Sequence, residues 1–216
     1  MRSSESLLDL SVKALLSYLL GSISGSMVGG TFRHVDIRNS GSGNAGGTNA
    51  IRTQGTRFAL SLVIIDIGKG FLAGWLLPHL GWNGLGQTYA QAVPMLVCGF
   101  AAVLGHCYPV WYGFKGGKGA ATAVGALIVI EPLALLPMFI TWILVLVLTG
   151  WVGLATMLAA LSLIPTFLYL GASHEKLIFA ILLALFVVFT HRSNIRKILN
   201  GTEHRFQRIW IRNWFH

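Results

Sequence analysis

Apolar runs, punctuated by glycine, proline and short polar stretches, divide the chain at about residues 7–31, 58–77, 89–108, 120–131, 133–149, 151–171 and 176–190. About 20 apolar residues at 1.5 Å each span the roughly 30 Å hydrocarbon core of a bilayer as a helix. The pattern predicts an all-α integral membrane protein with about seven transmembrane helices, one of them short. The short run, 120–131, is closed by Glu131-Pro132 and needs a thinned bilayer or protein around it to cross. In the first run Gly21, Gly25 and Gly29 recur four apart, a small-residue face that lets helices approach closely. Asp66 and Lys69 stand three apart inside the second run, so they share a helical face. Charges at that depth pair with one another or line a polar cavity; a structural charge pair is the expectation.

Composition agrees with the pattern. Apolar residues make up 54% of the chain and charged ones 11%, against about 25% charged in a soluble domain. Segments 33–57, 109–119 and 191–216 hold twelve of the sixteen Lys and Arg and two of the seven acids. Basic residues accumulate on the cytoplasmic side of membrane proteins, so the N-terminus is expected outside and the C-terminus in the cytoplasm. That face accounts for the net charge of +9 without nucleic acid as a partner. The stretch before Lys13 has no basic bias and reads as the lead into a retained helix rather than a cleaved signal. Cys98 and Cys107, nine apart on one predicted helix, point to opposite faces and cannot bridge. The histidines are scattered and the acids few, so no metal or cofactor is expected.

The three polar segments carry the chemistry. The first runs Arg38-Asn39-Ser40-Gly41-Ser42-Gly43-Asn44-Ala45-Gly46-Gly47-Thr48-Asn49-Ala50-Ile51-Arg52. Ser42, Asn44, Thr48 and Asn49 donate and accept hydrogen bonds, and Arg52 offers a phosphate a two-pronged grip. The second is Gly105-His106-x-x-Pro109-x-x-x-x-Phe114-Lys115-Gly116-Gly117-Lys118-Gly119. It lacks the P-loop order, but two lysines among glycine N–H groups read as an anion cradle. His106 is structural or catalytic on this evidence. The third is His191-Arg192-x-Asn194-Ile195-Arg196-Lys197-x-x-x-Gly201-x-Glu203-x-Arg205-Phe206. His191 and Asn194 fall on one helical face, and Glu203 reads as a local pair with Arg205. Beyond it, Phe206, Ile209, Trp210 and Trp214 recur at helical spacing opposite Arg205, Arg208 and Arg212, which predicts an amphipathic interfacial tail over 207–216.

Together these motifs resemble the PlsY family of integral-membrane glycerol-3-phosphate acyltransferases, over about residues 15–206. The first fits GSGNxGxTNxxR, with Gly47 where alanine is equally familiar; the second fits GHxxPxxxxFKGGKGxAT through Ala121-Thr122. The third fits HxxNIxRLxxGxExR except that Lys197-Ile198 replaces Arg-Leu. The resemblance implies one polytopic acyltransferase domain over 1–206 in a bacterial inner membrane, with its active site on the cytoplasmic side. It implies transfer of a fatty acyl chain from acyl-phosphate to the sn-1 hydroxyl of glycerol 3-phosphate, the first step of phospholipid synthesis. The products are lysophosphatidic acid and phosphate, and neither CoA nor acyl carrier protein takes part. Ser42, Gly43, Asn44, Thr48, Asn49, Arg52, Lys115, Gly116, Gly117, Lys118 and Gly119 would then hold the phosphates. Ser42, His106, His191 and Asn194 would serve the chemistry, with a histidine or the substrate's own phosphate as base. A transporter or channel for a phosphorylated solute is the competing reading. It accommodates intramembrane charge but not the gathering of every polar motif on one face.

Overall fold

A computed structural model describes residues 2–80, 92–207 and 209–211. Ten α-helices and short 3₁₀ turns make up its regular structure, and no strand occurs among the described residues. Two compact units divide it, Met1–Ile130 and Glu131–His216.

The first unit contains α1 (Arg2–Gly21), α2 (Gly25–Arg33), α3 (Gly47–Gln54), α4 (Thr56–Trp75), α5 (Ala92–Cys107) and α6 (Ala120–Ile130). The first apolar run is therefore two helices. Ser22 turns its hydroxyl back to the Tyr18 carbonyl, and the chain restarts at Gly25. The small-residue face is divided by this break. A Cβ at Gly21 would strike the backbone of Ala102 on α5, whereas Gly25 and Gly29 lie against Leu62 and Phe58 of α4. Helix α1 also reaches further than the apolar run: it begins at Arg2 and pairs Asp9 with Lys13 at 2.9 Å. Helix α3 arises inside the first polar segment, where no apolar period announces it. Its single-residue junction with α4 is Gly55, held at φ 87°, a left-handed conformation that a side chain would strain.

The second unit contains α7 (Leu135–Thr149), α8 (Val152–Tyr169), α9 (His174–Thr190) and α10 (Arg192–Leu199). Gly150, left-handed at φ 72°, ends α7 and turns the chain into α8. Along α7, Leu136, Phe139, Ile140, Ile143, Leu144 and Leu148 are all exposed. Such a continuous apolar face suits lipid, not water. Five stretches are long and apolar enough to cross a membrane: Leu7–Arg33, Thr56–His79, Ala92–Tyr112, Pro132–Thr149 and Val152–Tyr169. A sixth arises if α9 and α10, bent by 53°, count as one. Ala120–Ile130 stays shorter, at 11 residues. The protein is an all-helical integral membrane protein.

Of the predicted tail over 207–216, only 207 and 209–211 are described, and Phe206 and Trp210 are fastened to the α7–α8 junction. The Phe206 N–H donates to Gly150 O at 2.8 Å, and the Trp210 indole N–H donates to Leu148 O at 3.2 Å. Arg208, Arg212 and Trp214 of that expected pattern lie outside the described residues.

Candidate active site

The first motif is shaped by inward-facing groups. Asp36 caps a 3₁₀ turn, accepting the Arg38 N–H at 2.9 Å, and fully buried Ile37 pins that turn against Phe58 and Leu62 of α4. The loop then curls around Asn49. The Asn49 amide nitrogen reaches Ile37 O, Ser40 O and Asn44 O at 2.9, 3.0 and 3.0 Å. Its oxygen accepts the Ser42 N–H at 2.8 Å. Asn49 is 1% exposed, so this side chain shapes the loop. Gly41 is required here: at φ 61° a Cβ would overlap the Asn49 oxygen. Ser42 and Arg52 are exposed and Thr48 is half-buried. Thr48 and Arg52, four apart on α3, share a face.

The second motif explains its glycines by packing. The N–H of Gly116 donates to Cys107 O and that of Gly117 to His106 O, both at 3.1 Å. These carbonyls end α5 and have no helical partner. A Cβ at Gly116 would run into them, one at Gly117 would overlap the His106 ring, and one at Gly119 would press on Val103 and Cys107. The loop therefore lies flat on the end of α5, and those two N–H groups are engaged there rather than open to an anion. Lys115 is exposed and Lys118 half-buried. Helix α6 starts at Ala120, so the positive end of its dipole adds to their field.

Arg38 joins the two motifs. Its Nη1 donates to Tyr112 O and Lys115 O, each at 3.2 Å, while Nε and Nη2 fork onto Asp36 at 2.7–3.1 Å. The Arg38 guanidinium holds the Asp36 carboxyl below its ordinary range, and Asp36 raises Arg38 in return. Phe114, left-handed at φ 59°, swings the chain so that the Lys115 carbonyl meets Arg38. Sequence reasoning gave Arg38 no site role; the D-x-R spacing at 36–38 was the available signal.

Beneath the second motif lies a buried charge cluster. Lys69 Nζ is 2.9 Å from Asp66 Oδ1, 2.9 Å from His106 Nδ1 and 2.8 Å from Ile23 O. Asp66 Oδ1 also accepts the Gly25 N–H at 3.2 Å. Ile23 and Gly25 flank the break between α1 and α2, so this pair satisfies backbone groups that the break frees from helical bonding. In a bilayer such groups have no water to turn to.

The third motif belongs to the second unit. His191 sits at the α9–α10 bend, 5% exposed, with Nδ1 2.8 Å from Val187 O. A carbonyl only accepts, so Nδ1 carries a proton. The Asn194 amide donates to Glu203 Oε1 at 2.8 Å, and Asn194 packs on Gly153 of α8. Glu203 thus partners Asn194, not Arg205 as expected. Arg205 lies between two indoles, 4.7 Å from the Trp151 ring and 4.3 Å from that of Trp210.

A model of the glycerol-3-phosphate acyltransferase family matches residues 12–201, which span the first two motifs and the third as far as Gly201. The chain belongs to that family. A glycerol-3-phosphate acyltransferase 2 of Bacillus anthracis is 41% identical over 194 residues, covering 88% of this chain and 96% of the relative. One of Aquifex aeolicus is 36% identical over 193 residues, covering 89% and 96%. Among solved structures, the fold is similar to PlsY, an integral membrane glycerol 3-phosphate acyltransferase, in its glycerol 3-phosphate form. The TM-score is 0.79 at 34% identity, over 91% of this chain and 95% of that one. The lysophosphatidic acid form of PlsY gives the same TM-score at 33% identity. The acyltransferase family's motifs are thus held in place by Arg38, Asn49, the charge cluster and the Asn194–Glu203 pair, while Ser42, Arg52 and Lys115 lie at the surface.

Proposed function

We propose that the protein transfers a long acyl chain from acyl-phosphate to the sn-1 hydroxyl of glycerol 3-phosphate at the cytoplasmic face of a bacterial inner membrane. The supporting observation is the Arg38 latch. It binds two glycine-rich motifs into one polar surface bearing Ser42 and Lys115 on an otherwise lipid-facing scaffold. Both substrates carry phosphate and one carries a tail, so they require cations at a membrane boundary. The clustering of basic residues in the three polar segments supports the cytoplasmic side.

In the reaction the sn-1 oxygen attacks the acyl carbonyl carbon. The bond from that carbon to the phosphate oxygen breaks, and inorganic phosphate leaves. Negative charge develops on the carbonyl oxygen and the leaving phosphate, where positioned donors stabilise it. Arg52, Lys115 and Lys118 are the cationic donors that stabilise it, and Gly43, Asn44, Thr48, Asn49, Gly116, Gly117 and Gly119 shape the surface that holds the phosphates. Ser42, His191 and Asn194 serve the reacting centre, and His106 orients the loop that carries Lys115 and Lys118. The hydroxyl proton passes to His191 Nε2 or to a phosphate oxygen of glycerol 3-phosphate. Acyl-phosphate is already activated, so CoA and acyl carrier protein are not needed. Membrane lipids are the remaining partners of the scaffold.

The test uses detergent-purified full-length protein with glycerol 3-phosphate and palmitoyl-phosphate, and palmitoyl-CoA in parallel. Phosphate release and lysophosphatidic acid are followed together. Turnover with palmitoyl-phosphate alone, lost in Arg52→Ala and Lys115→Ala, is expected. Turnover only with palmitoyl-CoA would refute the donor, and binding of glycerol 3-phosphate without turnover on either donor would favour a transporter.

A further inference from the structure

Lys69 has three ammonium protons and three acceptors in reach: Ile23 O at 2.8 Å, Asp66 Oδ1 at 2.9 Å and His106 Nδ1 at 2.9 Å. An ammonium only donates. His106 Nδ1 therefore receives Lys69 through its lone pair, and the ring proton sits on Nε2. The longer 3.3 Å separation of Nδ1 from Asp66 Oδ1 reflects two acceptors gathered on one ammonium. At the far side of the ring, Nε2 abuts Gly117, where a Cβ would overlap the imidazole. The backbone repeats the contact, since the Gly117 N–H donates to His106 O at 3.1 Å. At the near side, Lys69 and Asp66 hold Ile23 O and the Gly25 N–H. One continuous line of buried groups thus runs from the broken first span to the glycine loop.

We propose that Lys69, Asp66 and His106 form a strut that sets the position of the loop carrying Lys115 and Lys118, and that His106 is a positioning residue rather than the base. A base needs an unprotonated nitrogen within hydrogen-bond reach of the proton it takes. At His106 one nitrogen is engaged by Lys69 and the other bears hydrogen. Asp66 and Lys69 stand three apart on α4, and His106, 37 positions beyond Lys69 at the end of α5, completes the cluster. The functional half of this proposal rests on the reading of the loop as phosphate-binding.

Nitrogen NMR of ¹⁵N-histidine-labelled full-length protein in detergent tests the strut without any reaction, with the His106 signal assigned by its loss in His106→Asn. An unprotonated, hydrogen-bonded Nδ1 that shifts in Lys69→Met is expected; a protonated Nδ1 overturns the proposal. Kinetics supply the second arm. His106→Asn keeps a polar group at the Nδ1 position and removes the edge against Gly117. The KM for glycerol 3-phosphate should rise roughly tenfold, the scale seen where a group that orients a binding residue is lost, with kcat nearly unchanged. A fall in kcat of about 10²–10⁴-fold at unchanged KM marks a base and overturns the proposal. Gly117→Ala should raise KM alike, and the double variant should be no worse than the worse single one; independent effects refute the strut. Lys115→Ala separates the two readings. If it leaves glycerol 3-phosphate affinity intact, the phosphate reading fails; if it weakens affinity while His106→Asn and Gly117→Ala do not, the strut fails.

Discussion

Asn49 and Arg52 share a motif and a helix, yet one is 1% exposed and the other lies in the open. The difference gives a prediction about charge rather than size. Asn49→Asp keeps the shape but replaces the amide nitrogen with an oxygen facing the Ile37, Ser40 and Asn44 carbonyls. Each buried carbonyl left without a donor costs about 1–3 kcal/mol, and repulsion adds to it. A lower melting temperature in detergent together with weaker glycerol 3-phosphate binding is expected. A variant that melts like the parent would remove Asn49 from its place as the hub of the loop. The residue types of this loop were legible in the sequence as phosphate-seeking chemistry. Which of them turn inward was not, because Asn, Gly and backbone carbonyls satisfy one another as readily as they satisfy a ligand. The same holds for Gly116 and Gly117, read as anion donors but occupied by the carbonyls that end α5.

Run length and punctuation set the helices, which is why each apolar stretch recurs as helix with ends displaced by a few residues. The break after Gly21 escaped that reading, since Ser22-Ile23-Ser24 contains no proline and the hydropathy continues across it. What sustains the break lies more than 40 positions away, on α4. Helix α3 escaped it for the opposite reason: it is polar, and its apolar contacts are Ala50 against Ile37 and Phe58. Glycines within helices give the prediction at this scale. Gly68 and Gly70 stand two apart on α4. A Cβ at Gly70 would overlap Thr122 O on α6, whereas one at Gly68 has nothing within 4 Å. Gly68→Ala should be neutral or stabilising by up to about 1 kcal/mol, since alanine favours helix. Gly70→Ala should destabilise by about 1–3 kcal/mol, the scale of an overpacked contact. Thermal denaturation of both variants checks the pair, and equal effects would contradict the close approach of α4 and α6.

On the scale of the molecule, composition announced a membrane protein, because a chain with 11% charged residues has too few to dress a soluble surface. At the C-terminus, Phe206 and Trp210 find partners at Gly150 and Leu148, which fasten the start of the tail to the α7–α8 junction. Deleting 207–216 removes the Trp210 indole, its bond to Leu148 O and one of the two rings that cover Arg205. The Phe206 bond to Gly150 and the Trp151 face of Arg205 stay. A cation–π contact contributes about 0.5–2 kcal/mol, and one indole hydrogen bond about 1 kcal/mol. In a chain of this length such a loss lowers the melting temperature by several degrees. The truncated protein should therefore melt earlier while turning over glycerol 3-phosphate at the parent rate, because no residue of the three motifs is lost. Arg205→Ala should melt at least as early, since it empties the space between both rings. A truncation that keeps its melting temperature but loses turnover would place the tail in the chemistry instead.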